Sequence, residues 1–328
     1  FVREYKRINQ EDYDTMSDSI NTVTGVIREV QKAVSGKDMC IRKVMLAILA
    51  GGHILMDDIP GVGKTTMALA FSKAMALKQK RIQFTPDVLP SDVTGFYMFQ
   101  KETKTFRYIP GPVMTNLFLA DEINRTSPKT QSALLQVMEE GRVTIDGNTL
   151  DVPEPFIVIA TQNPTGSAGT QLLPESQLDR FMICLSLGYP EIQDEIQLIK
   201  QRHTSNPLDS VRPVMDGAML VQYQRRVEQI YIHDAVYEYI AKLAGATRSH
   251  DMIKLGISPR GTLALCRMAK STAFLNGRDY VLPDDVAYIF GDVAGHRILL
   301  DARAGIARRS TMDVLDEILE SVPMPVPR

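Results

Sequence analysis

Only three cysteines, Cys40, Cys184 and Cys266, occur in 328 residues, and no two have C-x-x-C spacing. An odd, dispersed set argues against a disulfide framework and a thiolate metal site, and it fits a reduced compartment. Long apolar runs are missing too: VMLAILAGGHILM, among the longest, is too short and too interrupted by glycine to span a bilayer. The amino-terminal FVREYKRINQEDYD has no secretory apolar region, so a soluble cytoplasmic protein without a membrane segment is expected. The start at Phe1 rather than Met suggests a trimmed sequence. Neither sign of charge is in excess. With 37 Lys and Arg against 39 Asp and Glu the net charge is -2, so nucleic acid or an anionic membrane would need a local basic patch, and none that is strong is visible. The five histidines, His53, His203, His233, His250 and His296, form no H-E-x-x-H or metal-spaced cluster and read as structural. The 16 methionines read as adaptable core filling.

What is present is ordinary globular composition, 44% hydrophobic and 23% charged, on a chain longer than one typical domain. INTVTGVIREVQKAVSG and DMCIRKVMLAILAGG have helical spacing and end at glycines. Then come five strand-length runs, HILMD, RIQFT, LFLAD, FIVIA and FMICL, each continuous enough to be expected buried on both faces. KTTMALAFSKAMALK and SPKTQSALLQVMEEG lie between them as helices, the alternation of an α/β fold with a parallel sheet covered on both sides. The spacing predicts this core over residues 1–190, with linker and smaller all-helical domain over 191–328, where HDAVYEYIAKLAGAT, SPRGTLALCRMAKSTAFLNG and PDDVAYIFGDVAGH are amphipathic helices. Two hairpins interrupt the core, GFYMFQKETKTFRYIPGP and GRVTIDGNTLDVPEPF, the second turning at Asp146-Gly147.

The strongest chemical signal is DDIPGVGKTT, directly after a predicted strand and before a helix, which is where a phosphate-cradling loop belongs. Across Asp58, Ile59, Pro60, Gly61, Val62, Gly63, Lys64, Thr65 and Thr66, the glycines let backbone N–H groups curl around phosphates, and the helix start adds positive potential. Lys64 would reach the outer phosphates of ATP and Thr65 would give its hydroxyl to Mg²⁺. Asp58 stands where G-x-x-x-x-G-K-[ST] has its first glycine, tolerable if its φ stays negative and its carboxylate points away from the phosphates. In LFLADEINR an apolar strand delivers Asp121 and Glu122 at its carboxyl end, where ligands of open α/β sheets gather. Asp121 would hold Mg²⁺ through water and Glu122 would orient the attacking water, since phosphoryl transfer depends on positioning and charge. FIVIATQNP ends in Asn163, placed by the same logic beside them.

The ordered series PGVGKTT, LADEINRTSPKTQSALLQVMEEGRVTIDG, ATQNP, LPESQLDRF and SPRGTLALCRMAK resembles the MoxR-type AAA+ ATPases over most of the chain. The resemblance implies a P-loop AAA+ core followed by a helical lid. It makes Asn163 the sensor-one residue and Arg180 an arginine finger for a neighbouring subunit's γ-phosphate, with Arg125 a competing interface arginine. Arg260 matches the sensor-two arginine that would lean from the lid onto the nucleotide, and Val34, Ser35 and Gly36 lie where the family contacts adenine. A ring of identical copies, expected to be hexameric, is implied, as is chaperone-like work on a protein client, often with a partner bearing a von Willebrand A domain. The hairpins would face the pore. Their tips are acidic in TIDGNTLD and mixed at Lys101, Glu102 and Lys104, which weighs against nucleic acid. A DNA-directed or magnesium-chelatase-like motor shares the same core, and a nucleotide-gated binding module with little turnover is a reading of a different class.

Overall fold

The computed structural model describes residues 10–59, 61–163, 173–202 and 206–326. The core elements are α1 (Gln10–Ala33), α2 (Asp38–Leu49), β1 (Ile54–Asp57), α3 (Lys64–Ala74), β2 (Gln79–Gln83), α4 (Pro90–Thr94), β3 (Gly95–Gln100), β4 (Thr105–Pro110), β5 (Leu117–Asp121), α5 (Pro128–Glu140), β6 (Arg142–Ile145), β7 (Asn148–Asp151), β8 (Ile157–Gln162), α6 (Glu175–Leu178) and β9 (Ile183–Leu185). There follow α7 (Ile192–Arg202), α8 (Gly217–Glu228), α9 (Asp234–Ser249), β10 (Ile253–Leu255), α10 (Pro259–Leu275), α11 (Pro283–Ala294), β11 (Leu299–Leu300), α12 (Ala302–Ile306) and α13 (Thr311–Ser321).

The main sheet is parallel throughout in the order β2-β5-β8-β1-β9, with Arg81 beside Leu119, Leu117 beside Ile157 and Leu55 beside Ala160. Alternate side chains of the central strands feed opposite cores. Ile54, Met56, Leu117, Leu119, Ile157 and Ile159 pack with α1, α2 and α3, whereas Leu55, Phe118, Ala120, Val158 and Ala160 pack with α5. This two-sided burial is the α/β architecture expected from the uninterrupted apolar runs.

The strand around Arg81 is a correction. β2 is exposed except for Ile82, because it is the sheet's edge, with β5 as its neighbour in the sheet. Ile82 and buried Phe84, two residues apart, supply one apolar face, and Lys80 and Arg81 put charge on an edge that would otherwise pair with another chain. Both hairpins form: β3 pairs with β4 and β6 with β7, the latter turning through Asp146 and Gly147 at φ 49° and 79°, the left-handed pair of a tight type I′ turn.

Beyond β9 the chain is helical, with the small antiparallel pair β10–β11 added. α10 starts cleanly because Ser258 accepts from the Gly261 N–H and Pro259 occupies the first turn. Lys43 of α2 meets Asp292 of α11 at 2.8 Å across the joint between the two parts. His53 is structural, as its isolation from the other histidines suggests: Nε2 donates to the Met138 carbonyl at 2.9 Å and Nδ1 accepts from the Val158 N–H at 3.1 Å. Among the described residues no helix is long and apolar enough to cross a membrane.

Candidate nucleotide site

Three parallel strands deliver this site at their carboxyl ends. β1 leads into the phosphate loop, β5 ends at Asp121 and β8 leads to Asn163. Gly61 and Gly63 have φ of 88° and 99°, and a Cβ at either would meet nothing within 4 Å. The loop therefore needs glycine for its backbone and leaves open space on the side a phosphate would approach. Pro60 lies outside the described residues. Ile59 and Thr66 are half-buried, and Val62 packs against the larger core.

Asp58 meets both conditions for replacing glycine. It is not among the positive-φ residues, and its Oδ2 accepts from the N–H groups of Leu187 and Gly188 at 2.5 and 2.6 Å and from the Ser186 hydroxyl at 3.1 Å. The carboxylate is a strap onto the segment that follows β9, turned away from the loop's cradle.

Lys64 is buried, and its Nζ donates to the Asp58 carbonyl, to the Gln162 carbonyl at 3.2 Å and to Asn163 Oδ1 at 3.4 Å. Burial lowers its pKa, opposed by the charges of Asp58, Asp57, Asp121 and Glu122. Carbonyl dipoles thus hold an ammonium that an incoming phosphate could recruit. Thr65 Oγ1 lies 3.5 Å from Asp121 Oδ2, and Thr161 donates to Asp121 Oδ1 at 3.2 Å. Hydroxyl and carboxylate oxygens at a helix start are the hard donor set that Mg²⁺ takes alongside water and phosphate, so these residues could hold it.

Glu122 follows at φ 56° and ψ 47°, a left-handed conformation that costs a side-chain-bearing residue of order 1 kcal/mol and is held by its N–H donating to Thr161 Oγ1 at 2.9 Å. Its Oε2 accepts from Arg125 at 2.7 Å and its Oε1 from Asn163 Nδ2 at 3.1 Å. Burial pushes this carboxyl up, but hydrogen bonds from Arg125, Asn163 and Gln83 with the Arg125 charge bring it below its ordinary value. Lys64, Thr65, Asp121, Glu122 and Asn163 are therefore gathered as the sequence predicted. Arg81 was missed: its Nε pairs with Asp121 at 2.5 Å. The available signal was a charge on the strand neighbouring LFLAD, unreadable without knowing that β2 pairs with β5.

Arg180 and Arg260 are not gathered there. Met182 donates to the His53 carbonyl at 2.7 Å, which fixes the stretch containing Arg180 at the amino ends of β1 and β9. The phosphate loop leaves the other end of β1, roughly 13 Å of strand away at about 3.3 Å per residue. Arg260, expected over its own chain's nucleotide, is instead beside Arg180: both guanidiniums pair with Glu139, Arg180 at 3.2 Å. The two line a cavity of about 570 Å³ with Arg267 and Lys270. The expected place of Arg260 is corrected because α10 packs on α2 and α11 with its capping Ser258 bonded to Asp179 and its Arg267 to the Gly51 carbonyl, a docking that sequence order does not encode. Val34 is buried, and Gly36, at φ 71°, lies against the Asp194 carboxylate of α7. Lys37 donates to the Tyr189 carbonyl at 2.9 Å, so the 34–37 segment borders the same post-β9 stretch that Asp58 straps.

Comparison with known proteins agrees with this architecture. Residues 53–183 match the ATPase family associated with various cellular activities (AAA), and residues 245–318 match an AAA lid domain. The uncharacterized protein YeaC of Bacillus subtilis (strain 168) is 44% identical over 302 residues, 92% of this chain and 94% of that protein. Chaperone MoxR1 of Mycobacterium tuberculosis is 35% identical over 315 residues, 93% of this chain and 83% of that one. A crystal structure of a protein from Cytophaga hutchinsonii, described as a candidate ATPase, superposes with a TM-score of 0.89 at 36% identity, covering 97% of this chain and 99% of that chain. Matching those relatives along nearly its whole length, the chain belongs to the MoxR-type AAA+ ATPases and is an ATPase of that family.

Proposed function

We propose that this ATPase hydrolyses ATP with Mg²⁺ at sites shared between copies in a ring, hexameric in expectation, and uses the turnover to remodel a protein client. ATP brings the scissile phosphoanhydride and Mg²⁺ neutralises charge on its phosphates. Lys64 and the loop N–H groups would bind the phosphates, Thr65 and Asp121 would hold the metal, and Glu122 would orient the attacking water once released by Arg125. Asn163, which touches both Lys64 and Glu122, would report the phosphate's arrival to the base. The core that carries these groups runs to about residue 190, and the helical lid follows.

The observation that carries the ring is the separation of Arg180 and Arg260 from the acid pair, at opposite ends of one parallel sheet. A guanidinium held that far from its own chain's site would serve another copy, and a head-to-tail contact of that kind closes a ring when its rotation closes. Arg125 is the weaker candidate for the trans role, since it turns inward onto its own Glu122. Arg180 Nε is buried without a hydrogen-bond partner among the described residues, but so is Arg125 Nε, so the choice between them rests on the Glu122 pair alone. A protein client is favoured over nucleic acid by the β3–β4 hairpin, which exposes Phe96, Met98, Phe99 and Phe106, with the rings of Phe99 and Phe106 5.3 Å apart.

Turnover per subunit measured across protein concentration tests the reading: it should climb and saturate as copies assemble, and a flat response would mean a self-sufficient site. A nucleotide-gated binding module is the second reading, favoured by the hold that Arg125 and Asn163 keep on Glu122. It predicts tight nucleotide binding with no turnover at any concentration.

A further inference from the structure

Arg297, in the helical part just after α11, is buried with its charge intact, an arrangement that needs complete pairing. It has it. Nε donates to Asp179 Oδ1 at 2.8 Å, and Nη2 donates to the Asp179 carbonyl at 3.3 Å and to the Phe181 carbonyl. Nη1 donates to the Met182 carbonyl at 3.1 Å and to the Val293 carbonyl of α11. A guanidinium has five N–H donors, and all are used. Four of the five bonds end on Asp179, Phe181 and Met182, the residues on either side of Arg180, and none ends on Arg180 itself.

Neighbouring groups reinforce the same grip. Ser258, the cap of α10, donates to Asp179 Oδ2 at 2.7 Å, and His296 donates to the Phe181 carbonyl at 3.2 Å. At Gly261, next to Arg260, a Cβ would stand 2.9 Å from Arg297 Cδ, so the helix that carries Arg260 is shaped around the same side chain. A lid anchor could have bonded anywhere on the core. This one holds the backbone of the three residues that aim Arg180.

We infer that Arg297 is a positioning residue through which the helical lid sets Arg180 against the phosphates of the adjoining copy. The inference rests on the proposed trans role of Arg180. Its consequence is directional: a change in one copy's lid alters the site of the copy that Arg180 faces, while the lid's own chain keeps its phosphate loop and acid pair intact.

The test compares saturating turnover and labelled-ATP binding for full-length wild type, Arg180→Ala and Arg297→Lys, each alone and mixed with Glu122→Gln subunits. Lysine keeps the charge but cannot make five bonds. Arg297→Lys should bind nucleotide as wild type and lose about 10²-fold in turnover, the scale of a 1 Å misplacement of a reacting group. Mixing should restore turnover above the sum of the separate samples, because Glu122→Gln copies lack a base yet present a well-aimed Arg180. Wild-type turnover by Arg297→Lys, or a loss that mixing does not recover, overturns the inference. Should Arg297→Lys not fold, Asp179→Asn decides by the same criteria, with a smaller recoverable loss expected. Full turnover by Arg180→Ala would remove the trans role itself and the inference with it, and that arm tells the two failures apart.

Discussion

At the carboxyl end of β5, Asp121 pairs with Arg81 and Glu122 with Arg125 of the same chain, and in the proposed reaction both pairs would have to loosen. Arg81 is half-exposed, so its pair is worth little, about 0.2–1 kcal/mol. Arg81→Gln should accordingly raise the affinity of the ADP-bound protein for Mn²⁺ about two- to fivefold in a spin-resonance titration. Lys64→Ala should weaken labelled-ATP binding about 10- to 100-fold, the worth of a charged hydrogen bond, and unchanged affinity would remove it from phosphate binding. Glu122→Gln keeps the carboxylate's size and shape but not its charge or basicity. Binding should persist while turnover falls about 10²–10⁴-fold, and a smaller loss would point to another base. Lys64, Asp121, Glu122 and Asn163 were legible because each closes or follows a strand recognisable by its apolar run. Arg81 and Arg297 were not, since their partners lie across sheet pairing and lid docking that no local pattern records.

Among the elements, the central strands announced themselves through continuous apolarity, and the β6–β7 hairpin through Asp146-Gly147. β2 misled, because Ile82 and Phe84 make an edge strand look like an interior one when the flanking charges are discounted. β10 and β11, at three and two residues, are too short to carry a period. Two histidines give the elements they join a pH dependence. Burial holds His53 down to about 4, opposed by its bond to Met138, and His296 down to about 3, with the Arg297 charge adding to the lowering. The unfolded chain binds both protons near 6.5, so below that pH protonation favours unfolding until the folded values are reached. Unfolding free energy from urea melts should fall between pH 6.5 and 4 by up to about 1.4 kcal/mol per unit for each histidine, and a flat profile would show that neither is held neutral.

For the whole molecule, the α/β core followed from the alternation of strand and helix, the helical part after it from the fading of the strand signal, and its reading as a lid from the family resemblance. The face on which the lid docks did not, and that face decides where Arg260 goes. In the proposed ring, Arg180→Ala copies mixed with Glu122→Gln copies should hydrolyse ATP well above the sum of what each does alone. Silence of the mixture under assembling conditions would mean that each copy needs both residues for itself.

The placement of Arg180 and Arg260 at the amino end of the sheet, with Lys64 and Glu122 at the carboxyl end, also bears on how the family's sequences vary. Residues that meet only between copies still change together, because selection acts on the assembled site. Residues around Arg180 should therefore covary with residues around the phosphate loop, as pairs that no single chain can bring into contact. Such impossible pairs would trace the geometry by which one copy is laid against the next.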